Sequence, residues 1–64
     1  MADNYKITSN RPGEPKMILI SSTAIASDAL IEAAVGPAEP GTIVHTAGYA
    51  VMKQKGLDGS WTAI

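Results

Sequence analysis

The chain has 64 residues and contains no cysteine and no phenylalanine, with one tryptophan, two tyrosines and one histidine. Without cysteine there is no disulfide framework, and a single histidine among scattered carboxylates provides no zinc ligand set. Much of the apolar content is alanine, which buries little area, so the core of one copy is expected to be thin. Small domains usually supplement such a core with disulfides, a metal or a partner chain. With the first two excluded, oligomerisation or docking on a larger assembly is the expected route to stability. The longest strongly apolar run, Met17 to Ile20, is far too short to cross a bilayer. The start of the chain lacks the basic region and apolar stretch of a secretory signal. A net charge of −1 gives no electrostatic pull toward nucleic acid or anionic lipid. The expectation is one soluble domain made in a cytoplasm, with no cofactor and no nucleic-acid, membrane or small-molecule partner.

The informative stretch is the last third, Gly41 to Ile64. Thr42 to Thr46 is rich in β-branched residues and reads as a strand. Ala47-Gly48 offers a two-residue turn, because Gly48 can take positive φ without steric cost. Tyr49 to Gln54 reads as a second strand. Asp58-Gly59 is a strong hairpin dipeptide, since a type I′ turn needs positive φ at both positions. Ser60 to Ile64 returns as a third strand. These turns predict a register: Val44 opposite Val51, Ile43 opposite Met52, and Trp61 opposite Gly56. Side chains alternate between faces. One face would carry Ile43, His45, Met52, Gln54 and Trp61, and the other Val44, Tyr49, Val51, Lys53 and Ile64. A bulge at either turn would slip the register by one and exchange the faces.

Upstream, residues 1–4 read as a short polar arm and Tyr5 to Ser9 as an alternating strand. Arg11 to Pro15 is a loop, broken by two prolines and Gly13. Lys16 to Ser21 is the clearest strand of the first half, and its near-continuous apolar run, including Ile18 and Ile20, predicts cover on both faces. Ser22 to Val35 reads two ways. Alanine, Leu30 and Glu32 favour a helix, which Ser27 could cap and Gly36-Pro37 could end. The alternation of Ala29, Ile31 and Ala33 with Asp28, Leu30 and Glu32 suits a strand equally. Residues 37–41 form a proline-rich linker between an arm-and-strand region at 1–36 and the meander at 42–64.

Candidate chemistry is sparse. Catalysis by His45 would need a neighbouring nucleophile or carboxylate, and its sequence neighbours supply neither. A structural or surface histidine is the favoured reading. No two acidic residues have a spacing that suggests a carboxylate pair or a metal loop. Gly56 to Ser60 lacks the strand–loop–helix setting and the Lys-Ser/Thr ending of a phosphate loop. Lys53 and Lys55 read as a solvated strand face rather than a nucleic-acid patch. Trp61 reads as a core or interface anchor, a residue type enriched at interface hot spots.

The pattern Gly41-Thr42, Thr46, Tyr49, Lys53 and Gly56, closing on Asp58-Gly59-Ser60-Trp61, resembles the short β-meander of phage head-fibre, tail-fibre and capsid-decoration proteins. The resemblance spans 41–64. It implies a non-enzymatic virion structural protein, commonly trimeric, on the capsid surface, with itself and a major capsid or other virion protein as partners. The chain stops three residues after Trp61, with no fibre shaft, which suits an attachment piece. The fold expected is mainly β, a small sheet with a C-terminal three-stranded antiparallel meander, completed by oligomerisation or docking. Its packing and interface residues would be Trp61, Met52, Ile43, Tyr49, Val51, Ile18 and Ile20, with Gly48, Asp58 and Gly59 setting the turns. The alternative is a small phage-encoded binding protein that inhibits a host defence factor; it would act free in the cell, whereas a decoration protein stays with the particle.

Overall fold

A computed structural model describes residues 5–64. The polar arm expected at 1–4 lies outside the described residues. Five strands form one mixed sheet: β1 (Tyr5–Ser9), β2 (Met17–Ile20), β3 (Ile43–His45), β4 (Met52–Lys55) and β5 (Trp61–Ala63). Their spatial order follows the sequence, β1-β2-β3-β4-β5. All neighbours are antiparallel except β2 and β3, which are parallel. Parallel neighbours need a crossover rather than a tight turn. Here it consists of a 3₁₀ turn at Ser22–Ala26, the helix α1 (Asp28–Val35) and the segment 36–42. The proline-rich stretch at 37–41 is thus the descending arm of the crossover, and both halves of the protein share one sheet.

The stretch that read as either helix or strand is helical because both ends are chemically marked. The Ser27 side chain accepts from the Leu30 N–H at 3.2 Å, the N-cap geometry that satisfies one orphan donor of the first turn. Gly36, at φ 76°, ends the helix in a conformation open to glycine, with its N–H on the Glu32 carbonyl. Helical spacing puts Ile31 on the sheet side and leaves Leu30 47% exposed.

The core lies between α1 and one face of the sheet. Register places Ile18, Val44, Lys53 and Ala63 in one row across β2–β5, with Ile20 and the Lys55–Trp61 pair on the same face. Ile18, Ile20, Ile25, Ile31, Val44 and Trp61 form the buried cluster, with Ala24, Val35 and Ala38 packed against it. Ile31 and Val44 are fully buried.

The meander exists, but neither of its turns is a two-residue turn. The first connection is Ala47 to Ala50, closed by the Thr46–Val51 pair: the Thr46 N–H donates to the Val51 carbonyl, and the Val51 N–H to Thr46 Oγ1, both at 3.1 Å. Gly48 has the expected positive φ of 76°, and Tyr49 follows it at φ 59°. Two consecutive left-handed residues lengthen the loop, so Val44 pairs with Lys53 rather than Val51, and Ile43 with Gln54 rather than Met52. A shift of two preserves the faces. The second turn has three residues. The Gly59 N–H reaches the Gly56 carbonyl at 3.1 Å, and the Gly56 N–H reaches the Ser60 carbonyl at 2.8 Å. Gly59 lies at φ 88°, while Asp58 keeps negative φ, so the turn is not type I′. Leu57 is the extra loop residue, and Trp61 moves opposite Lys55 instead of Gly56. That shift of one carries Trp61 to the helix-covered face, away from Ile43 and Met52, and carries Ile64 to the other.

Candidate functional site

The face of the sheet turned away from α1 carries two rows. Lys6, Leu19, His45 and Met52 align in one; Met17, Ile43, Gln54 and Thr62 align in the other. Met17, Leu19, Ile43 and Met52 are half-buried. The run Met17–Ile20 was expected to be covered on both faces. Instead Ile18 and Ile20 are buried under the helix, and Met17 and Leu19 are only partly covered. Four apolar side chains on the three central strands are unusual for a sheet face without a helix or second sheet above it, since antiparallel sheets normally turn a polar face to water.

His45 sits at the centre of this face and is only 2% exposed. Its Nδ1 lies 3.0 Å from the Thr46 carbonyl oxygen, which can only accept, so Nδ1 carries the proton. In the neutral ring Nε2 is then an acceptor, and the Thr8 hydroxyl, at 2.8 Å, donates to it. The Tyr49 ring stacks on the imidazole at a centroid distance of 4.3 Å and an interplanar angle of 20°. The partner that the local sequence did not supply therefore comes from β1, 37 positions upstream. A hydroxyl, an imidazole and an orienting carbonyl are the parts of a nucleophilic dyad. Here they tie the outer strand β1 to β3 across β2, with one ring face occupied by Tyr49 and both nitrogens engaged.

On the opposite face, α1 clasps the end of the meander through two carboxylates one helical turn apart. Asp28 Oδ2 accepts the Trp61 backbone N–H at 3.1 Å. Glu32 Oε1 accepts the Trp61 Nε1–H at 3.2 Å and also pairs with Lys55 Nζ. That ammonium lies 5.3 Å above the indole ring, within cation–π range. The hydrogen bond from Lys55 holds the Glu32 carboxyl below the usual carboxylate range, against the opposing effect of desolvation and with further help from Trp61. Lys55, expected on a solvated face, is instead a largely covered member of this clasp, its side chain 12% exposed.

The expected packing residues divide three ways. Ile18, Ile20 and Trp61 belong to the protein's own core. Ile43 and Met52 lie on the uncovered face. Tyr49 and Val51 lie in or beside the first connection, 54% and 42% exposed. Val44, Ile31 and Ile25 are core residues that the sequence reading did not single out, and Thr8, Asp28, Glu32 and Lys55 are polar anchors it missed. The (i, i+4) carboxylates of α1 were the one local signal available. Among the described residues no group of three or more potential ligands could hold a metal ion, and no helix is long and apolar enough to cross a membrane. An open groove of about 710 Å³ runs between the β1–β2 loop and the segment after α1, past Tyr5, Lys16, Val35 and Glu39. No family model, curated protein or solved structure matches this sequence.

Proposed function

We propose that the protein is a non-catalytic attachment protein of a phage virion, seated on the capsid surface and working as a homo-oligomer, with a trimer favoured. The observation that carries the reading is the helix-free sheet face, where Met17, Leu19, Ile43 and Met52 surround the Tyr49-capped His45. Apolar side chains in that number gain by being covered. The turn-and-aromatic pattern of 41–64 points to the virion as the setting. On this reading the buried Trp61 stiffens the module from within, and the contact to the capsid protein or to another copy is made by the opposite face. No cofactor, nucleic acid or lipid is needed for this role.

The test is mass spectrometry of particles purified through a density gradient. The protein is expected in the particle band at a stoichiometry that is a simple fraction of the capsid protein. Recovery only from the soluble fraction, bound to a host protein, would contradict the proposal and point to an inhibitor of host defence.

A further inference from the structure

The β4–β5 turn holds the only Asp-Gly step in the sequence, which contains no Asn-Gly. Such a step is chemically labile. The backbone nitrogen of Gly59 can attack Cγ of Asp58, and glycine presents no Cβ to obstruct the approach. A C–N bond forms, the bond from Cγ to the carboxyl hydroxyl breaks, and the departing hydroxyl leaves with the amide proton as water. Water then reopens the cyclic imide at either carbonyl. Attack at the backbone carbonyl of residue 58 reroutes the polypeptide through Cβ and Cγ and leaves isoaspartate, with no net change in mass and no other reactant.

The turn sets two obstacles in the way of this reaction. Asp58 Oδ1 accepts the Ser60 N–H at 3.0 Å and the Ser60 hydroxyl at 2.7 Å. Both bonds favour the ionised carboxylate, and these two contacts hold the Asp58 carboxyl below its ordinary range. An ionised carboxylate has no good leaving group; the reaction needs the carboxylic acid. The attacking nitrogen is engaged too, its N–H on the Gly56 carbonyl at 3.1 Å. Both residues are otherwise exposed to water. We infer that Asp58–Gly59 is a spontaneous isomerisation site whose rate is held down by the Ser60 clamp, and that its conversion releases Trp61 from the helix.

The second part follows from geometry. Isoaspartate inserts one extra backbone atom between residues 58 and 59. The Gly56–Ser60 pair that closes the turn then loses its spacing, and Trp61 is the next residue. Its contacts to Asp28 and Glu32 depend on that spacing. A molecule that has aged at this bond has a loosened meander.

The test is to incubate the intact protein in warm neutral buffer and measure isoaspartate by methyltransferase labelling and peptide mapping, with Trp61 fluorescence followed in parallel. Removing one hydrogen bond to a charged group, as in Ser60→Ala, is expected to speed conversion about tenfold, and Ser60→Thr should restore the slow rate. Gly56→Ala perturbs the clamp from the other side, because its Cβ would meet Asp58 Oδ1 at 3.0 Å, and should also accelerate conversion. The wild-type protein in denaturant controls for variants that fail to fold, and should convert at least as fast as Ser60→Ala. Equal rates for folded and denatured wild type would overturn the inference, as would wild-type rates in both clamp variants. Full conversion with unchanged Trp61 fluorescence would overturn its second part.

Discussion

Trp61 is held at three points: its backbone N–H by Asp28, its indole N–H by Glu32, and its ring between Lys55 and the aliphatic core. The contributions are unequal, and substitution separates them. Trp61→Phe keeps most of the buried ring and loses the bond to Glu32, so it should cost about 1 kcal/mol in chemical denaturation. Trp61→Ala also leaves a cavity and should cost about 3–5 kcal/mol, a large part of what a domain of this size has. Similar losses for the two variants would show that burial of the ring is not the dominant effect. Glu32 adds a pH dependence whose sign is fixed. Its carboxyl titrates lower in the folded protein than its ordinary value of 4.5, so its contribution is fully present above that value and is lost as the pH falls through the lowered one. Acid titrations of stability should therefore be shallower below about pH 4.5 for Glu32→Gln than for the wild type. They should not become flat, because Asp58 contributes with the same sign.

Among the elements, those marked by local chemistry were legible in the sequence. Alternation marks β1 and breakers bound β2; Ser27 and Gly36 mark the ends of α1, but the alternation between 28 and 33 left strand and helix equally open. Registers were not legible, because they depend on loop length rather than on the strands. Asp58-Gly59 has the composition of a two-residue turn, but Leu57 belongs to the loop. One added residue was enough to move Trp61 to the other face. At Ala47-Gly48 the error was two residues, and the faces of β3 and β4 survived it. The parallel β2–β3 pair and the Thr8–His45 bond join distant parts of the sequence, for which adjacent residues give no signal. Gly59 separates backbone from packing effects in the second turn. A Cβ there would meet nothing within 4 Å, so the cost of Gly59→Val is assigned chiefly to φ 88° rather than to a clash at Cβ. A β-branched residue in that region should cost about 1–2 kcal/mol or more in thermal unfolding. No change in the midpoint would mean that the turn relaxes into another conformation.

At the scale of the whole molecule, the described residues form a sheet with a helix on one side and, on the other, no helix or second sheet but the Tyr49 ring stacked on His45. The helix-side cluster contains six buried apolar residues, and the fully buried ones are Ile31 and Val44. This is the thin core that the alanine-rich, cysteine-free composition led one to expect. The helix-free side carries the half-buried Met17, Leu19, Ile43 and Met52 on β2–β4. Met52 is a suitable probe of that face, since it is half-buried beside His45, and a charge placed there can reach water. The most direct measurement is sedimentation velocity of the wild type and Met52→Glu at micromolar concentration, with circular dichroism to establish that both are folded. The expected result is an oligomeric wild type, with a trimer favoured, and a folded Met52→Glu variant that sediments as a monomer. A wild-type protein that sediments as a monomer and unfolds cooperatively on its own would contradict it.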